Sequence, residues 1–263
     1  MLPTVDFCGL TLTRMLIGAN HFAGFSHQSA ERSESMKRYH TPERILETWE
    51  RAWRAGINGF ITNNETPHVV QTVLRYLVAG GPMQWLAQVS FRTIGNMEKA
   101  IDQVVAGGCR AMYIHGGLTD ALYEKQDAAT LRAWISHAQG KGLPVGVAAH
   151  AVEAHYWVHE LDLVDFHVVP FFNCGSVHTT GGERFQLEDV FRATELIRFL
   201  PKPCIAYKIL GAGRIDAAMG IDYALRHIKP GDLINVGINR QDRDDMVEFD
   251  VALVEQVLKK LPS

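Results

Sequence analysis

The chain has 263 residues, 47% hydrophobic and 21% charged, with a formal net charge of −3. This suits one barrel-sized domain over residues 1–263 and offers neither a nucleic-acid footprint nor a polybasic membrane anchor. The cysteines Cys8, Cys109, Cys174 and Cys204 form no CxxC pair, no apolar run approaches the roughly 18 residues of a spanning helix, and the first residues lack a basic-then-apolar leader, so a cytoplasmic protein without zinc ribbon or disulfide framework is expected.

Eight short runs rich in β-branched or aromatic residues read as strands, at 15–19, 59–62, 84–90, 110–115, 144–149, 164–170, 203–208 and 232–236. Many are apolar without alternation, the pattern of parallel strands covered on both faces. After the first strand, Thr41 is placed to cap a helix, Pro42 suits its first position, and Ile45, Leu46, Trp49, Ala52 and Trp53 share a face before Gly56 ends it. Equivalent stripes follow at Met97, Ile101, Val104 and Val105, at Val190, Leu196, Ile197 and Leu200, and at Met246, Val247, Val251, Val254 and Leu258. Eight alternations with no Gly-rich turn after the first strand favour an α/β (β/α)8 TIM barrel over an open doubly wound sheet.

In such a barrel the C-terminal ends of the strands converge on one bowl. The polar residues expected there are Asn20, His21, Asn63, Glu65, Gln88, His115, Asp120, His150, Asn173 and Lys208. Amides donate and accept, so this set suits a polyhydroxylated small molecule, while capping of loops is the plain structural reading. His115 and His150 end adjacent strands and are candidates for a proton-transfer pair or for ligands of a divalent metal. Lys208, after the buried run Cys204-Ile205-Ala206-Tyr207, is a candidate base or Schiff-base lysine, or half of an ion pair. Gly213, Arg214, Gly237 and Arg240 follow the last two strands, where this fold often holds phosphate. The long loops 20–40 and 173–186 are candidate lids, with Gly24, Gly175, Gly181 and Gly182 as hinges.

Ile17-Gly18-Ala19-Asn20, Ala55-Gly56-Ile57-Asn58-Gly59-Phe60, Tyr113-Ile114-His115-Gly116, Val164-Asp165-Phe166, Pro170-Phe171-Phe172-Asn173 and Ile205-Ala206-Tyr207-Lys208 through Gly213 resemble, in order, segments of the aldo-keto reductase superfamily. The stretch Tyr113 to Asp120 is similar to an uncharacterised group of aldo-keto reductase-like proteins. The resemblance implies a catalytic-site role for His115, the one member of the family's tetrad that remains. Ile61 stands where the family has its aspartate, Asn64 to Pro67 where it has its tyrosine, and the third strand, 85–90, has no lysine. Ala148-Ala149 replaces the pair that holds the nicotinamide amide.

Without the tyrosine acid and the lysine that tunes it, ordinary carbonyl reduction with NAD(P) is disfavoured. The expected activity is proton transfer on a sugar-like or polyol carbonyl compound, of isomerase, epimerase or lyase type. An NAD(P)-dependent oxidoreductase with a rearranged site and a non-catalytic small-molecule-binding barrel are the alternatives. Oligomeric state is left open.

Overall fold

The computed structural model describes residues 2–174 and 185–261. It begins with a feature absent from the sequence reading, a hairpin of β1 (Thr4–Phe7) and β2 (Leu10–Thr13) paired antiparallel, with Phe7 opposite Leu10. Its two-residue turn is Cys8-Gly9, both at positive φ (53° and 82°), the backbone that matches the twist of the flanking strands. Asp6 Oδ1 accepts from the Gly9 N–H at 2.7 Å and fixes that turn.

Eight strands then follow, each at a run expected from the sequence: β3 (Met15–Gly18), β4 (Gly59–Asn63), β5 (Gln84–Val89), β6 (Ala111–Ile114), β7 (Val145–Ala148), β8 (Phe166–Pro170), β9 (Cys204–Tyr207) and β10 (Leu233–Gly237). They form a closed barrel in which each strand pairs in parallel with the next, and β10 returns to pair with β3 from Ile234↔Met15 to Gly237↔Gly18. The fold is a (β/α)8 TIM barrel. Because side chains alternate along a strand, Leu16, Ile61, Leu86, Ala111, Ile205 and Leu233 fill the interior, with Phe7 and Leu12 of the hairpin packed against them. The hairpin thus plugs the N-terminal end of the barrel. Met15, Ile17, Phe60, Trp85, Ala87 and Val236 face outward into a second apolar layer under the helices. Gly146 is required where it stands, since a Cβ there would lie 2.5 Å from the Phe166 ring.

The helices are α1 (Ala30–Tyr39), α2 (Pro42–Arg54), α3 (Pro67–Val78), α4 (Met97–Ala106), α5 (Gly116–Glu124), α6 (Ala128–Gln139), α7 (Val152–Leu161), α8 (Asp189–Phe199), α9 (Ala217–His227) and α10 (Met246–Leu258). In α2 Thr41 caps and Pro42 leads, as expected, and Ile45, Trp49 and Ala52 are buried. Trp53, expected on that face, is partly exposed, and Thr48 takes the inward place with its hydroxyl satisfied by the Arg44 carbonyl at 2.7 Å. Trp49 stacks on Phe60 at 4.5 Å between ring centroids and joins helix to barrel. Among the described residues no helix is long and apolar enough to cross a membrane.

Behind β8 the outward His167 meets His155 of α7, Nδ1 to Nδ1 at 3.1 Å, with both rings buried. Burial pushes His155 down to about 4 and His167 well below its ordinary value, with the neighbouring His155 adding to the shift. Both are therefore neutral in the fold, whereas the unfolded chain takes up protons near pH 6.5. The unfolded state binds more protons below that pH, so stability falls as pH drops from 6.5 toward 4, by on the order of 3 kcal/mol for a histidine shifted this far. Urea midpoints measured from pH 7 to pH 4.5 should decline over this window. A flat profile would mean that both rings protonate freely in the folded protein.

Candidate functional site

Two residues further along six of the strands from Leu16, Ile61, Leu86, Ala111, Ile205 and Leu233 stand Gly18, Asn63, Gln88, Tyr113, Tyr207 and Asn235. Alternation points them inward again, now above the apolar layer, and all six line a cavity of about 220 Å³ at the mouth. Asn20, His21, Lys208, Gly213 and Gly237 border the same cavity. The loop 20–40 covers it, contributing Phe25, Ser26, His27 and Gln28 and, from α1, Arg32 and Met36. Gln28 Nε2 donates to the Ala212 carbonyl at 2.7 Å, and Arg32 pairs with Asp242 after β10. His40 Nε2 lies 2.8 Å from Asn239 Oδ1, and the Tyr39 hydroxyl donates to the Arg240 carbonyl at 3.1 Å. Loop and α1 are therefore tied across the mouth to the segments following β9 and β10.

The polar groups of the cavity differ in how much of their capacity the protein uses. Asn63 Oδ1 accepts from the N–H groups of Glu65 and Thr66, both at 2.9 Å, which leaves its NH2 for a ligand. Tyr113 donates to Gln88 Oε1 at 3.2 Å. Among the described residues, Asn235 Oδ1 and His21 Nε2 are buried without a partner. Asn235 lies over Gly18, where a Cβ would come 3.0 Å from its Oδ1. Burial, and secondly His40, hold His21 well below its usual pKa, so it is a neutral imidazole. Burial raises Tyr113 and Tyr207, so both phenols stay protonated, and it lowers Lys208 against the opposing influence of Cys174 and Asp120. Among the described residues Lys208 forms no ion pair.

The other expected residues lie elsewhere. His150 and Asp120 border a separate groove with Asn173, Glu153, Asp189 and Arg192. Asp120 accepts from His150 Nδ1 at 2.7 Å and from the backbone N–H groups of His150 and Ala151, which together outweigh burial and hold its pKa below the usual value. His115 Nδ1 accepts from the Gly117 N–H at 3.1 Å and caps α5. His115 and His150 follow the adjacent strands β6 and β7 and Lys208 follows β9, and the three do not share one cavity: Lys208 borders the central one and His150 the groove. Glu65 lies in the loop after β4, outside both cavities.

Arg240 is buried against Glu47, Asp244 and Thr48, and Arg214 donates to the carbonyls of Gly211 and His27 at 2.8 Å. The N–H groups of Gly211, Gly213 and Arg214 serve their own turn, so the expected anion cradle is occupied by the protein's own carbonyls. Residues 175–184, including the expected hinges Gly175, Gly181 and Gly182, lie outside the described residues. No group of three or more His, Cys, Asp or Glu side chains is arranged for a metal ion among the described residues. The sequence reading missed Tyr113, Tyr207 and Asn235, which register with Gln88 would have revealed, and Arg32 and Asp242, which carry no local signal.

The Arg32–Asp242 pair is partly exposed, and such a pair contributes at most about 1 kcal/mol to global stability. Arg32→Ala should therefore leave Tm within a few degrees of wild type while accelerating amide hydrogen exchange across 20–40. Unchanged exchange in that segment would show that the pair does not hold the cover.

No protein-family model matches the chain, and no curated protein matches it by sequence. Solved structures are similar in fold. The structure titled "Putative aldo-keto reductase" from Pseudomonas aeruginosa has a TM-score of 0.67 at 14% identity, covering 97% of this chain and 94% of that one. A second structure described as a putative aldo-keto reductase from the same organism gives 0.66 at 15%, covering 97% and 95%. Gox0644 in its apo form gives 0.62 at 13%, covering 98% and 94%. Likeness at this identity is a likeness of architecture: the chain shares the TIM-barrel fold of these structures.

Proposed function

We propose that this protein is an enzyme that moves a proton on a small polyhydroxylated carbonyl compound bound in the central cavity, a reaction of isomerase, epimerase or lyase type. The observation that carries the reading is Lys208, which borders an amide- and phenol-lined cavity and has no carboxylate paired to it among the described residues. Burial shifts Lys208 toward its neutral form, the form that a base or a nucleophile needs. The NH2 of Asn63 and the side chains of Asn20 and Gln88 match ligand hydroxyls, and His21 borders the same cavity as a neutral ring. Gly213 and Gly237 let a ligand approach the backbone. His150, oriented by Asp120, is an acid-base candidate of the adjoining groove, with Asn173 beside it.

The test is solvent exchange. The protein is incubated in D2O with a panel of short aldoses, ketoses and sugar acids, and loss of a proton signal next to the carbonyl is followed by NMR. Exchange should occur with at least one compound, and Lys208→Met should slow it roughly 100-fold or more, the scale for losing an acid or base, with little change in Tm. Ile205→Ala, in the barrel interior, should instead cost about 2–5 kcal/mol of stability. Full exchange in Lys208→Met would overturn the assignment.

The fold of the structural neighbours favours one second reading, NAD(P)-dependent redox chemistry with a rearranged site. Fluorescence titration with NADPH should show no saturation at low micromolar concentration. A dissociation constant of that order, about −8 kcal/mol, would replace the proton-transfer reading by the redox one.

A further inference from the structure

Strand alternation makes a prediction that Lys208 breaks. In β9, Ala206 faces the helices and Tyr207 the interior, so the next residue should face the helices again. Lys208 instead borders the same cavity as Tyr207, with Nζ 5.5 Å from the centroid of the Tyr207 ring. The cause is its backbone. Lys208 has φ of 54°, a left-handed conformation that a non-glycine residue adopts at a cost. The Gly211 N–H, which donates to the Lys208 carbonyl at 2.9 Å, holds the turn. An amine is thus brought to the cavity by a backbone geometry that the strand itself does not favour.

We propose that Lys208 forms a covalent imine with the carbonyl carbon of its ligand, a small aldehyde or ketone carrying neighbouring hydroxyls. The inference rests on the reading above that this cavity takes a carbonyl compound. A nucleophilic amine must be unprotonated, and the surroundings of Lys208 favour that state. Arg32, the other cation at the cavity, already has Asp242, while Asp120 is engaged by His150 and two backbone N–H groups. No carboxylate is left to hold an ammonium in place among the described residues, and desolvation acts in the same direction.

The step balances without redox change. The nitrogen lone pair forms the C–N bond as the carbonyl oxygen takes up a proton, the amine loses its protons, and the C–O bond of the carbinolamine breaks to release water. The phenol of Tyr207 borders the cavity and stays protonated, which supplies a donor for the departing hydroxyl. A protonated imine withdraws electrons more strongly than the parent carbonyl, so the adjacent C–H becomes easier to ionise.

Sodium cyanoborohydride traps such an imine as a secondary amine. Wild-type protein is treated with D-glyceraldehyde or dihydroxyacetone plus this reductant at neutral pH, then digested and mapped by mass spectrometry. Lys208 should carry the adduct, which is the carbonyl compound without its oxygen and with the reductant's hydrogen, and should label faster than every exposed lysine. Lys208→Met should remove that adduct and leave the slow labelling elsewhere. Labelling no faster at Lys208 than at surface lysines would overturn the proposal, and the wild-type map decides this even if the variant fails to fold. Proton exchange in D2O that requires Lys208 but gives no trapped adduct overturns the imine alone. An adduct without exchange supports the imine and overturns the proton-transfer reading.

Discussion

Closure of the parallel ladder is the constraint on which the rest of the structure depends. Once β10 pairs with β3, every strand has two neighbours and the sheet has an inside and an outside, so each side chain is assigned to one of them by its parity in the strand. Leu16, Ile61, Leu86, Ala111, Ile205 and Leu233 must be apolar because they meet at the axis with Phe7 and Leu12. The residues two positions later inherit the same direction without the same crowding. That is why Gly18, Asn63, Gln88, Tyr113, Tyr207 and Asn235 form the cavity although no motif links them.

The strands were legible because buried parallel strands leave unbroken β-branched and aromatic runs, and all eight barrel strands lie where those runs stand. The hairpin was not legible. Its Cys8-Gly9 turn lacks the Asn-Gly or Asp-Gly signal, and its strands are only four residues each. Helix α1 was hidden inside a long loop because its sequence, Ala30 to Tyr39, is largely polar and buries only Met36.

The site was legible in part, for a physical reason. Polarity at a strand end selects groups near the mouth, and Asn20, His21, Asn63, Gln88 and Lys208 do line the cavity. Polarity does not say which part of the rim a group faces, so His150 and Asp120 were grouped with Lys208 although they border another groove. Nor does it reveal partners from distant segments. Arg240 reads as a free cation in the sequence, yet its guanidinium is satisfied by Glu47 and Asp244. Tyr113 and Tyr207 were passed over because they sit inside apolar runs, where a tyrosine reads as core.

The hairpin plug and the closing ladder carry a consequence for how the chain reaches its fold. The segment that completes the barrel, β10, lies near the end of the chain, while its partner β3 and the plug lie at the start. During synthesis the earliest segments leave the ribosome with an open strand edge and with Phe7 and Leu12 lacking their final neighbours. Contacts of such sequence separation form late, because loop closure must precede them, and an unpaired edge is a template for association with other chains. A nascent chain therefore keeps the β3 edge open, and the barrel unclosed above the plug, until β10 has been made.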